Sequence, residues 1–168
     1  MKISMYTASA PRLVHVLKCL SAILAKGEAH AAERKIEPSV LLGARLFPDM
    51  FPLTRQVQVA CDTAKGAAAR LGGVDVPRHE DTEQTFAQLQ ERIAKVIAFV
   101  ESVPAAAIDG SEDRRIVLTI RGQEVPFTGL QYLLEFVLPN VYFHTVTAYN
   151  ILRHNGVALG KRDFLGNT

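Results

Sequence analysis

The sequence predicts an all-α chain folded as an antiparallel four-helix bundle, with a small β-hairpin ahead of the last long helix. Three observations carry this expectation. Apolar residues recur at steps of three and four through four long stretches, the one-face pattern of a core helix. Proline and glycine stand between those stretches, where helices start and stop. One run, Arg115-Ile116-Val117-Leu118-Thr119-Ile120, is instead β-branched and extended in character. Four helices with apolar stripes must bury them against one another, and a bundle is the economical arrangement.

The first long helix is expected from about Ser9 to Ala32. Pro11 suits its first turn, where a missing N–H costs nothing. Leu13, Val16, Leu17, Leu20, Ile23 and Leu24 form its stripe. Pro38 with Val40-Leu41-Leu42 predicts a short helical turn or two before Pro48 breaks the chain. Asp49 then stands as the cap of the second long helix, with Pro52 inside its first turn. Its inner face is Leu53, Val57, Ala60, Ala64, Ala67, Ala68 and Leu71, and so many alanines imply a close neighbour. Gly72-Gly73 ends it. After a connector from Val74 to Glu80, Asp81 or Thr82 is expected to cap the third helix, with Gln84 completing a capping box. Phe86, Leu89, Ile93, Val96, Ile97 and Val100 make its apolar face, and Ala105 to Ile108 add one turn after Pro104. Arg121-Gly122-Gln123 turns the hairpin, whose returning strand confines Pro126 to an edge. The fourth long helix runs from Leu130 to His154, with Tyr132, Leu133, Phe136, Val137, Val141, Val146, Tyr149 and Leu152 facing inward. Pro139 inside it removes a backbone hydrogen bond and should kink it.

The 168 residues fit one domain, 1–168, large enough to bury roughly 70% of the unfolded surface without metal or disulfide. A net charge of +2 with both signs interspersed gives nucleic-acid binding little support. Cys19 and Cys61 sit in apolar helical contexts without a C-x-x-C pair, so both are expected as buried, reduced thiols, and the location as cytoplasmic. The first residues lack a signal-peptide core, and no membrane-spanning segment is expected.

Chemistry can sit in two places. His144 falls one turn after Asn140, beside the proline; a spacing of four puts both on one helix face. They could satisfy each other or a freed carbonyl, or they could bind a ligand. Arg55, Gln58 and Asp62 form a polar stripe on the alanine-rich second helix, either a solvent face or a set aimed at His144. In the second case Asp62 would orient the imidazole. His30 and His79 are expected in solvent. No zincin, di-iron, P-loop or dinucleotide motif is present.

The strings Leu46-Phe47-Pro48-Asp49-Met50-Phe51-Pro52-Leu53, Gln56-Val57-Gln58-Val59-Ala60-Cys61-Asp62 and Leu138-Pro139-Asn140-Val141-Tyr142-Phe143-His144 resemble an uncharacterised bacterial and fungal family of the DinB/YfiT-like helical bundle superfamily. So does the tail, Arg153-His154-Asn155-Gly156 to Lys161-Arg162-Asp163-Phe164-Leu165-Gly166. The resemblance implies a four-helix bundle, often dimeric. In many superfamily members a divalent metal is held by three histidines, one on the second long helix and an H-x-x-x-H pair on the fourth, and some are thiol-dependent transferases. Here Asn140 stands where the first histidine of the pair would be, and the second helix has none, Gln58 being the nearest polar candidate. Of the three ligands only His144 remains. Losing ligands lowers metal affinity by orders of magnitude, so no cofactor is expected.

Three readings stay open. The chain is a metal-free binding or accessory bundle whose polar pocket takes a small molecule at Arg55, Gln58, Asp62, Asn140 and His144. Or it is an enzyme, a transferase acting on a thiol or other small metabolite with His144 as base and Asp62 as its orienter. Or it is a homodimeric interaction module, with the alanine face and the apolar N-terminus available for a second copy.

Overall fold

Residues 3–166 are described by a computed structural model, in which helices alternate with irregular connectors and one two-stranded sheet. The elements are α1 (Met5–Ala8), α2 (Ala10–Arg34), α3 (Pro38–Gly43), α4 (Leu53–Gly72), α5 (Phe86–Ser102), α6 (Ala105–Ile108), β1 (Ile116–Ile120), β2 (Gln123–Phe127), α7 (Gly129–Gln131), a π-helical turn (Tyr132–Val137), α8 (Leu138–His154) and α9 (Lys161–Leu165). α4 packs along α8 on one side and α5 on the other, and α2 closes the ring by packing on both. Leu13, Leu17, Leu20, Ile23 and Leu24 of α2 are buried as their spacing requires.

The alanines of α4 explain its central position. Ala60, Ala64 and Ala67 are wholly buried, and their small side chains bring the α8 backbone close. This corrects the expectation that the alanine face is free for a second copy, since it is consumed inside the molecule. Large apolar side chains do reach solvent elsewhere, among them Phe47, Phe51, Phe143 and Val146. Val146, expected inward, is exposed because it lies two residues past the buried His144 and so on the other side of α8. One segment meets the length and composition of a membrane span, although the sequence predicts none. Met5–Arg34 is long and apolar enough, with a mean hydropathy of 1.3 over its 18-residue window. Its stripe is a core stripe, with 56% of that window buried inside the protein.

Two helix starts differ from expectation. Asp49 lies in a turn closed by Met50 N–H donating to the Phe47 carbonyl; the cap position is Pro52, and the Leu53 N–H donates to Ala44 across the chain. α5 is capped by Thr85, not Asp81 or Thr82. Its hydroxyl accepts from the Gln88 N–H at 3.2 Å and the Gln88 side chain accepts from the Thr85 N–H, a complete capping box. Gly73 ends α4 at φ 68°, and the Arg114 guanidinium donates to the α4 carbonyl of Leu71 at 2.6 Å. β1 and β2 pair antiparallel with Ile120 opposite Gln123. That leaves a two-residue turn, Arg121 and Gly122, both with positive φ as a type I′ hairpin requires.

Pro139 is accommodated by the π-helical turn preceding it. In a regular helix its ring would press on the Glu135 carbonyl four residues back. The wider turn avoids this, with the Leu138 N–H donating to Leu133, five residues back.

Candidate functional site

The π turn ends where the first polar centre begins. Asn140 donates from Nδ2 to the Phe136 carbonyl at 2.6 Å, so it serves its own helix rather than His144. The His144 imidazole, 8% exposed as a residue, crosses to α4 and meets Gln56 with Nδ1 2.7 Å from Oε1. Gln56 Nε2 donates to the Phe51 carbonyl at 3.0 Å, which fixes the amide with its oxygen toward the imidazole. Nδ1 therefore carries the proton, and Nε2 keeps its lone pair. The Phe143 ring meets the imidazole edge-on at 5.2 Å.

Burial, and then the positive charge of Arg55, push the His144 pKa below its ordinary value. The unfolded chain thus binds a proton more readily than the folded one below the ordinary histidine value, about 6.5. Burial also lowers His79, so both histidines act in the same direction. Stability should be flat in this respect above neutrality and fall as pH drops through about 6. Urea midpoints at pH 7.5 and 5.5 test this: His144→Gln should shrink the difference, and an unchanged difference would show that the imidazole is not the group responsible.

The second centre is on the opposite side of α4. At roughly 100° per residue, Gln56 and Gln58 point about 160° apart, so the stripe of Arg55, Gln58 and Asp62 faces α5 and the 74–84 connector, away from His144. This corrects the expectation that Asp62 orients His144 and that Gln58 is its polar neighbour; the neighbour is Gln56. The stripe converges instead on Arg92 of α5, whose side chain is 2% exposed. Its Nη2 lies 2.9 Å from Asp62 Oδ1 and 3.0 Å from Asp81 Oδ1, and its Nη1 lies 2.9 Å from Glu83 Oε1 and 3.0 Å from the Glu80 carbonyl. Gln58 donates to the other Glu83 oxygen at 2.8 Å and accepts from Arg55, which also pairs with Asp81. Lys65 reaches Asp62 Oδ1 at 2.9 Å. Burial opposes the charge on Glu83, but the hydrogen bonds from Arg92 and Gln58 outweigh it and hold this carboxyl below its ordinary pKa. Burial likewise opposes the Arg92 charge, and the Glu83 hydrogen bond with the Asp62 and Glu83 charges more than restores it.

Two hollows flank this network, about 300 Å³ beside Arg92, Glu83 and Lys95 and about 340 Å³ beside Lys65, Arg70 and Arg78, with His79 between them. His79 is not in open solvent as expected; its Nδ1 is buried without a hydrogen-bond partner, as is Arg92 Nε. Cys19 and Cys61 are free and buried, and burial pushes the Cys61 thiol up to about 12, far from a nucleophilic thiolate.

The three-histidine metal site does not fit the residues present. Only one of the three imidazoles remains, at His144, and Asn140 is turned to Phe136. Among the described residues no three His, Cys, Asp or Glu side chains gather as a ligand set.

Sequence reasoning assigned no role to Gln56 or Arg92. Gln56 is in register with Ala60, Ala64 and Ala67, so a polar residue on the alanine face was the signal. Arg92 falls three residues after Leu89 and four before Val96, a charge inside an apolar stripe.

A family model described as "Domain of unknown function (DUF1993)" matches residues 5–165. No curated protein matches the chain. A solved structure of a DinB family member protein from Shewanella denitrificans is similar at 42% identity and a TM-score of 0.87, over 97% of this chain and 92% of that one.

Proposed function

The chain belongs to the DUF1993 family, DinB-like proteins of unknown function, and from that premise we propose that it is a metal-free binding protein built on one antiparallel four-helix domain. In this reading His144, Gln56 and Asn140 are a closed polar lock at the position where the superfamily carries its metal. Recognition of a small molecule falls to the opposite side of α4. The observation that carries the reading is the unpartnered, buried Nδ1 of His79 between two hollows, beside a network that already contains Arg55, Gln58 and Asp62. Buried polar atoms are nearly always satisfied in native proteins, and a bound ligand supplies the missing partner.

Two measurements on the purified chain test the proposal. Elemental analysis should find no stoichiometric zinc or nickel, and a stoichiometric metal would overturn the metal-free part. Melting temperatures against a panel of small metabolites should rise with at least one compound class, because a ligand that binds only the native state stabilises it. A flat panel would overturn the binding part.

A further inference from the structure

We propose that the hollow between α4 and the 74–84 connector binds a phosphoryl dianion of a small soluble molecule, held by Lys65, Arg70 and Arg78 beside His79. This names the ligand class for the binding reading above and rests on it.

The charges facing the hollow are not balanced. Lys65, Arg70 and Arg78 line it against one carboxylate, Asp62, and that carboxylate already serves Arg92. Three cations against one carboxylate leave two positive charges, the complement of a phosphate monoester above its second pKa, about 6. Among the described residues Arg70 and Arg78 form no ion pair with a carboxylate, while Arg92 and Arg55 both do. Lys65 is 4% exposed, an unusual position for an ammonium group.

Arg70 is held in place before any ligand arrives. Arg70 lies across its own helix over Gly66, where a Cβ would collide with its Nη1. It donates to the Tyr132 hydroxyl at 3.2 Å with its guanidinium 6.0 Å from the ring centre. The connector is pinned at its far end, since Arg92 binds the Glu80 carbonyl, Asp81 and Glu83. Arg78 and His79, just ahead of that anchor, line the same hollow as Lys65. Guanidinium forks match tetrahedral oxyanions bidentately, and an ammonium adds a point charge. His79 Nδ1, buried and unpartnered, can donate one further hydrogen bond. Val76 and Pro77 complete the lining with apolar surface, suited to the carbon portion of a monoester. Burial, and then the nearby Lys65 and Arg92 charges, lower the His79 pKa and so favour the neutral imidazole.

The test is calorimetric titration and thermal unfolding of the full chain with inorganic phosphate, glycerol phosphate, succinate and an uncharged metabolite panel at matched ionic strength. Phosphate and glycerol phosphate should raise the melting temperature above the chloride control, and succinate should bind more weakly. Arg78→Gln, an exposed connector residue whose loss leaves the core intact, should weaken glycerol phosphate by roughly tenfold, the loss of one charge-assisted contact. Arg121→Gln on the hairpin turn removes the same charge and should leave binding unchanged. Equal weakening by both variants, or succinate binding as tightly as glycerol phosphate, overturns the phosphoryl assignment. Vesicles containing phosphatidic acid serve as a further arm, and capture by them without glycerol phosphate binding also overturns it. If an uncharged compound binds and phosphate does not, this assignment fails while the binding reading stands. If nothing binds, both fail.

Discussion

Arg92→Ala should destabilise the protein by about 3 kcal/mol, the usual cost of leaving buried charges without their partner. The substitution strands three carboxylates at once. Glu83 contributes most, because its side chain is 11% exposed and cannot turn to water. Asp62 and Asp81 are more exposed, so solvent screens their share. The Glu80 carbonyl loses its donor as well, which frees the connector from α5. Arg92→Lys should recover less than half of the loss, because one ammonium cannot span the acceptors that the guanidinium fork reaches. Arg92→Met combined with Glu83→Gln should lie closer to wild type than Arg92→Met alone, since the second change removes the unpaired charge. Urea unfolding reads all four variants. A cost for Arg92→Ala within about 0.5 kcal/mol of zero, the range of ordinary surface substitutions, would show that the network contributes nothing to the fold.

Helix positions were legible because they depend on apolar periodicity, which survives any detail of tertiary contact. The stripe from Leu13 to Leu24 and the Gly72-Gly73 stop are written locally. Caps were less legible. Asp81 satisfies every local rule for a helix start, but Arg92 and Arg55 draw its carboxylate away, and Thr85 takes the role. The proline told a partial story. Pro139 requires some departure from regular helix, but whether that is a kink or a widened turn depends on the packing of Tyr132, Leu133 and Val137 against α4. The site was legible as residue types and not as geometry. Arg55, Gln58 and Asp62 do form one stripe, and His144 does cross to α4. The stripe and the imidazole meet different faces of that helix, and which faces are turned to α5 and α8 is fixed by the alanines, with Gln56 among them.

Gly129→Ala should cost about 3 kcal/mol, although propensity alone predicts the opposite. Alanine is favoured over glycine inside helices by about 1 kcal/mol, and Gly129 opens α7 in an ordinary helical conformation with no positive φ to protect. The obstacle is a backbone. A methyl group at position 129 would sit far inside van der Waals contact distance of the Ser111 carbonyl oxygen, with the Ser111 carbonyl carbon only 3.0 Å away. Backbone cannot rotate aside as a side chain can, so the 109–115 segment must move as a unit. That segment is tied at two positions: the Leu130 N–H donates to the Glu112 carbonyl at 2.9 Å, and Arg114 caps the end of α4 at Leu71. Displacing it therefore loosens α4 at its C-terminus as well as the start of the last helix. Gly43→Ala is the matched control, because nothing lies within 4 Å of a methyl group there and the residue closes α3. It should be neutral or stabilising by less than about 1 kcal/mol. Thermal melts of the two variants separate the explanations: if both shift the melting temperature alike, glycine at 129 reflects chain flexibility, and if only Gly129→Ala falls, it reflects the contact with Ser111.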